Sequence, residues 1–544
     1  MKPNFRQILI LAILAILAFC GLVGGWLVRD LGTATVPAKV ESQVAVVSPK
    51  ASREIRGAAP RPSRDEFRDG TTVELFASSK PDEVILRFPS EETYQTFLYT
   101  LGGSKIQLVN QLDPLRAMRL KYEDWDELSS LLNGEHITTY DSLPALPPPS
   151  PPVLAAQDGL VGFGDSVLSW LGIHSDNSSW GAGVKIAVID SGVVPHSDLP
   201  GLSESIAITP FPENLSNTYG HGTAVASLIA GNSVSAPGVA PAADLVSIRV
   251  GDETGKADSF ALAAGILAAL DAKVQIINIS MGTRENNPLI EEAVLLARDR
   301  NVVIVAASGN SEQDDACYPA AYPSVISVGA VDARGEHLDF SNYGTYLSVT
   351  APGYAINAAW PGDRYAKISG TSASAPIVTG AIAATMSNGS GITMSARQAA
   401  EIVMNYSDEA GLPGPDSEFG VGILNMARVM NRQVLGIVDG AITDQRIVKA
   451  AGAGSSDELE VTVQNRGTSL LINTLVEISS PLGSRKFNAT SIAPGAIQTF
   501  SMPVRLSGLP KGEAIQVNSK ITLGTPGEDI TPQNNQREDT LYPR

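Results

Sequence analysis

Asp190, His221 and Ser372 of this 544-residue chain can together do what none does alone. A serine hydroxyl is a poor nucleophile until an imidazole takes its proton, and the imidazole needs a carboxylate to fix its tautomer and stabilise its cation. The run Val184-Lys-Ile-Ala-Val-Ile-Asp190 reads as a buried strand that delivers its carboxylate just before a turn on Gly192. His221 stands between Gly220 and Gly222 at the start of a small-residue helix, where another backbone can come close. Ser372, in Gly370-Thr-Ser-Ala-Ser-Ala-Pro376, precedes the apolar stretch 377–384 and so sits at a helix N-terminus, where free N–H groups favour a developing oxyanion. Singly, each has a plainer reading: turn chemistry for Asp190, a structural histidine, and Ser or Thr caps. Jointly they point to nucleophilic catalysis.

The chain order Asp, His, Ser and the three glycine-flanked segments resemble the signature motifs of the subtilase family of serine peptidases. The resemblance covers roughly half the chain. It implies a serine endopeptidase working through an Asp190–His221–Ser372 triad and an acyl-enzyme intermediate, with no cofactor required. Ala306-Ala-Ser-Gly-Asn310 is similar to the family segment carrying the oxyanion-hole asparagine, which would be Asn310. Asn278-Ile-Ser-Met-Gly282 resembles the edge strand that pairs with extended substrate, so Ser280, Met281, Gly282, Ser308 and Gly309 are expected to line the substrate. Tyr318–Tyr322 and Phe419–Asn425 also resemble family segments, whereas Ala373 stands where the family often has Met. With no acidic residue within 280–282 or 306–310, an apolar or broad preference is expected. The reading from a different class is a catalytically silent surface protein used for adhesion or assembly.

Positioning such a site takes a scaffold, and the length implies several domains. Between residues 155 and 432, apolar runs at 184–189, 245–249, 276–279, 302–306 and 325–328 alternate with helical stretches. Fully apolar strands fit a mostly parallel sheet with helices on both faces, an α/β catalytic domain. Residues 71–146 read β-α-β-β-α-β: strands at 84–88, 106–112, 115–122 and 136–140, a helix capped by Ser90, and a second from Glu123 to Leu132. This is a small ferredoxin-like α+β domain, similar in length, position and order to inhibitor-type propeptides, which makes the chain's own propeptide a partner. Prolines in 147–154 form a stiff linker. Residues 433–455 read as a further linker. From 456 to 544, short strands at 459–464, 475–478, 498–503 and 515–521 suggest a β-sandwich resembling adhesion-type immunoglobulin-like modules.

The formal charge of −18 argues against nucleic acid as a partner, since a phosphate-binding face needs clustered Lys and Arg. Lys2 and Arg6 precede 21 apolar residues, Ile8–Val28, which as a helix reach ~31 Å, one hydrocarbon core. Residues 1–30 therefore read as a signal-anchor or signal segment, followed by a flexible tether over 31–70. An exported protein is expected, membrane-anchored or, if the segment is cleaved, secreted. Cys20 and Cys317 offer no disulfide framework. Asp198, Asp314 and Asp315 are candidates for structural Ca²⁺, but no contiguous loop has ligand spacing, so they read as solvated surface charge.

Overall fold

The computed structural model describes residues 82–132, 160–209, 220–252, 255, 257–312, 314, 316–388, 391–449, 457–506 and 514–542, with backbone alone at 73–74 and 138–140. The apolar segment 8–28, the tether, the linker 147–154 and Asp315 lie outside these residues. Among the described residues no helix is long and apolar enough to cross a membrane.

The N-terminal domain runs β1 (Val73–Glu74), β2 (Glu83–Arg87), α1 (Glu91–Leu101), β3 (Gln107–Leu112), β4 (Ala117–Lys121), α2 (Trp125–Leu131) and β5 (Thr138–Tyr140), in sheet order β1-β5-β2-β4-β3. Ser90 caps α1 with a full capping box: its Oγ accepts from Thr93 N, and Thr93 answers its backbone N–H. Strand β2 is apolar throughout its centre because both faces are covered. Val84 and Leu86 pack under α1 and α2, while Ile85 faces the opposite way with Leu112, Leu115 and Ala117.

That second face rests on the central domain. This domain contains α3 (Val167–Trp170), β6 (Lys185–Asp190), β7 (Leu202–Ala207), α4 (His221–Ala230), β8 (Asp244–Arg249), α5 (Ser259–Asp271), β9 (Ile276–Ile279), α6 (Pro288–Asp299), β10 (Val303–Ala307), β11 (Val325–Val331) and β12 (Val349–Pro352). The hairpin β13 (Ile356–Trp360) and β14 (Arg364–Ile368) follows, then α7 (Thr371–Met386), α8 (Ala396–Asn405) and α9 (Met426–Asn431). Seven strands form one parallel sheet, β12-β11-β10-β9-β6-β8-β7. Ile186 and Val188 join the core under α4, α7, α8 and α9, and Ala187 and Ile189 join the core under α5 and α6. The strand order turns about at β6 and β9, so their carboxyl ends flank the crevice where open α/β sheets place ligands. The N-terminal domain's apolar face shares the α5–α6 core, and Arg119 Nη1 meets Asp258, the α5 N-cap, at 2.8 Å. Arg87 pairs with Glu292 on α6.

The expected linker 433–455 is partly strand: β15 (Gly440–Val448) pairs with β16 (Asp457–Asn465). Its polar middle, Thr443-Asp-Gln-Arg446, and a bulge between Ile442 and Asp444 hide it in the sequence. With β17 (Leu471–Ser480), β18 (Gly483–Ile492), β19 (Ile497–Val504), β20 (Ile515–Thr522) and β21 (Gln536–Leu541) it makes two antiparallel sheets, β15-β16-β19 and β18-β17-β20-β21, sharing one apolar core.

Burial pushes the Asp444 carboxyl up to about 6, against the pull of Arg446 and Arg537. A carboxyl whose folded value lies above its unfolded one holds its proton more tightly when native, so stability falls as pH rises from about 4 to 6. Asp444→Asn is therefore expected to match the parent near pH 4 and to gain on the order of 2–3 kcal/mol at pH 8. Arg446 and Arg537 keep Glu460 and Asp539 as partners. Calorimetric melting at both pH values checks this, and an equal gain at both would remove the ionisation from the account.

Candidate active site

Asp190 is the last residue of β6 and is fully buried. Its Oδ1 accepts the Ser191 N–H at 2.6 Å, and both carboxylate oxygens stand 2.9 Å from His221 Nδ1. The fully buried Arg249, at the end of neighbouring β8 and opposite Asp190 in register, donates Nη1 to Ser191 O. His221 opens α4. A Cβ at Gly222 would lie 2.5 Å from Gly192 O, and one at Gly220 would strike the Trp360 ring at 2.3 Å, so only glycines let the histidine turn press between the Asp190 turn and the β13–β14 hairpin. His221 Nε2 is buried without a hydrogen-bond partner.

Ser372, in the first turn of α7, is 4% exposed, and α7 packs directly on α4. Its Oγ donates to Ser280 O at 3.1 Å, while Ser280 Oγ returns a bond to Ser372 O. Asn278 Nδ2 holds Ser280 Oγ, and Thr379 Oγ1 on α7 holds Asn278 Oδ1, so β9 and the helix start are fixed to one another. Asn310 lies exposed after β10. Its Oδ1 accepts both the N–H and the Oγ1–H of Thr371, which settles the amide's orientation and leaves Nδ2 to donate beside the start of α7.

The expected edge strand at 278–282 is corrected in position. Strand β9 is interior, paired with β6 and β10, and ends at Ile279; Ser280 is level with the last residues of these neighbours, and Met281 and Gly282 run on past them. The last pairing there is Thr283 with Tyr318. Ser308 is buried, and Gly309 is half-buried beside Asn310. Cys317 lies against both arms of the crevice: a Cβ at Gly282 would meet its Sγ at 2.5 Å, and one at Gly309 its Cβ at 3.3 Å. Burial pushes its thiol up to about 12, so it stays protonated as an apolar wall.

Thr371, Trp360 and Arg249 were not expected from sequence. Thr371 had been visible only as a possible cap, and nothing local marks a tryptophan that will cover a glycine 140 positions away. Asp198 is not solvated charge but buried: its Oδ2 accepts Ser233 Oγ at 2.5 Å and its carbonyl accepts Asn232 N–H. The bond to Ser233 ties the Asp198 carboxylate into its own loop, and among the described residues no three His, Cys, Asp or Glu converge.

Residues 181–422 match the subtilase family model. The thermostable alkaline protease of Halalkalibacterium halodurans is 35% identical over 251 residues, covering 46% of this chain and 68% of that one. Subtilisin Savinase of Lederbergia lenta is 38% identical over 205 residues, covering 37% and 76%. A solved variant of the epidermin leader-peptide-processing serine protease of Staphylococcus aureus superposes with a TM-score of 0.54 at 20% identity, covering 64% of this chain and 99% of that one, a likeness of fold. The chain belongs to the subtilase family. It is a subtilisin-like serine endopeptidase.

Proposed function

We propose that the chain is an exported endopeptidase that hydrolyses polypeptides with Ser372 as nucleophile, His221 as general base and Asp190 as the orienting carboxylate. The observation that carries this reading is the buried His221 imidazole. Its Nδ1 stands 2.9 Å from both Asp190 oxygens, an arrangement that favours the neutral tautomer with its proton on Nδ1, and Nε2 is unpartnered at the start of α4, the helix that packs against α7. Rotation of the Ser372 hydroxyl away from Ser280 O brings its proton to Nε2 as Oγ attacks the carbonyl. The resulting oxyanion takes the Asn310 amide and the Ser372 backbone N–H, which lies in the first turn of α7 and has no helical acceptor. His221 then passes the proton to the leaving amine, and water repeats the sequence on the acyl-enzyme. Backbone groups of Ser280–Gly282, beyond the sheet, and of Ser308–Gly309 hold the substrate in extended form.

The N-terminal domain acts as an inhibitory propeptide, supported by its apolar face on the α5–α6 core and by the Arg119–Asp258 and Arg87–Glu292 pairs. Its junction is cut by Ser372 between Leu143 and Asp165. Residues 8–28 anchor the exported chain or are removed as a signal, and the C-terminal sheets form an adhesion-type immunoglobulin-like module.

A fluorophosphonate probe, which needs an activated serine, tests the core of this reading. Stoichiometric labelling confined to Ser372 is expected. A folded protein that stays unlabelled there would instead favour the silent surface protein.

A further inference from the structure

We infer that Asn342 is the positioning residue for the oxyanion arm, holding Asn310 on target without touching substrate. The inference rests on Asn310 being the oxyanion donor. Asn310 is exposed on a loop after β10, and among the described residues its own side chain is bonded to Thr371. A donor on an exposed loop is useful only if the backbone on either side of it is fixed, because stabilising a transition state requires a dipole already in place.

Asn342 supplies that fixity from three directions. Its N–H donates to Gly309 O at 2.9 Å, its Oδ1 accepts Ser311 N–H at 2.7 Å, and its carbonyl accepts Ser308 Oγ at 3.2 Å. Both residues flanking Asn310 are thus bonded to one side chain and its backbone. The side chain is 2% exposed and lies flush against Gly309, where a Cβ would stand 2.5 Å from Asn342 Nδ2. Gly309, at φ +110°, is a conformation that glycine adopts freely, and it lets the arm turn at this contact. Continuing the contact, Glu312 N–H donates to Phe340 O at 3.0 Å, so 340–342 runs beside 309–312 as a rail. The side chain of Asn342 therefore stands in for a backbone acceptor at the position where the arm bends toward Thr371.

A double-mutant cycle separates positioning from general support. Asn310→Ala should lower kcat by ~10²–10³ with little change in KM. Asn342→Ala should lower kcat by ~10-fold or more, also with KM nearly constant. In the Asn310→Ala background, however, it should cost less than ~2-fold, because the group it positions is gone. Ser308→Ala, which removes one hydroxyl and leaves the fold, should show a smaller loss that likewise vanishes in that background. Saturation labelling of Ser372 counts the folded sites in each variant. Equal fractional losses in the two backgrounds, or a loss confined to KM, would overturn the role of Asn342. Unchanged kcat in Asn310→Ala would instead overturn the oxyanion assignment beneath it.

Discussion

Ser372→Ala should lower peptide-bond hydrolysis by about 10⁶, the scale at which the nucleophile or base of such a triad fails when removed alone. Only Oγ is lost. Among the described residues that atom makes one hydrogen bond, to Ser280 O, and the bond from Ser280 Oγ to the Ser372 carbonyl survives. The stability change should therefore stay within about 1 kcal/mol, and activity and fold part company. A residual rate ~10³–10⁴ above water is expected, because Asn310 and the α7 N-terminus can still stabilise an oxyanion formed by water attack. Hydrolysis of a denatured protein substrate, measured beside the melting temperature of each protein, gives the comparison. The same pair of proteins reports on maturation. Wild type should yield an N-terminus between Leu143 and Asp165, and Ser372→Ala should stay uncut. Near-parental hydrolysis by the variant would remove Ser372 from the mechanism, and cutting in both would assign the junction to another protease.

The parallel sheet was legible because burial on both faces leaves few polar positions. Strand β9 reads Ile-Ile-Asn-Ile and coincides with the expected 276–279, and β6, β8 and β10 fall within a residue of their expected bounds. Mostly exposed strands at sheet margins were not legible. Leu-Ser-Glu-Ser-Ile-Ala of β7 lies at the sheet margin, and Gly-Ser-Arg-Lys-Phe-Asn-Ala-Thr-Ser-Ile of β18 is an outer strand, mostly exposed. The site divides in a similar way. Asp190, His221 and Ser372 stand at element ends in glycine-marked turns, so local sequence betrays them. Asn342, Thr371 and Trp360 work through contacts to chain 34, 61 and about 140 positions away, and carry no local sign. Placing 278–282 at a sheet edge failed for a related reason. Whether a strand is interior depends on what pairs with it, here β6 and β10, and not on its own residues.

Asp190→Asn should cost about 10⁴ in turnover while removing no group that touches substrate. The direction follows from which oxygen is already committed. Oδ1 accepts the Ser191 N–H at 2.6 Å, so an asparagine keeps its carbonyl oxygen there, neutral and already shared though still beside Nδ1, and places its NH₂ where the charged Oδ2 now faces His221 Nδ1. Two donors cannot face each other. The imidazole then moves its proton to Nε2 and accepts with Nδ1, which presents an N–H to Ser372 where a lone pair is required. Arg249, fully buried and bonded to Ser191 O, holds the turn in place, so the pocket should not relax around the change. The variant should fold, bind substrate with KM near the parent, and lose kcat. Its fluorophosphonate labelling should slow in proportion, because that reaction needs the same base. A loss confined to KM, or labelling at the parental rate beside a lost kcat, would mean that Asp190 acts on something other than the tautomer of His221.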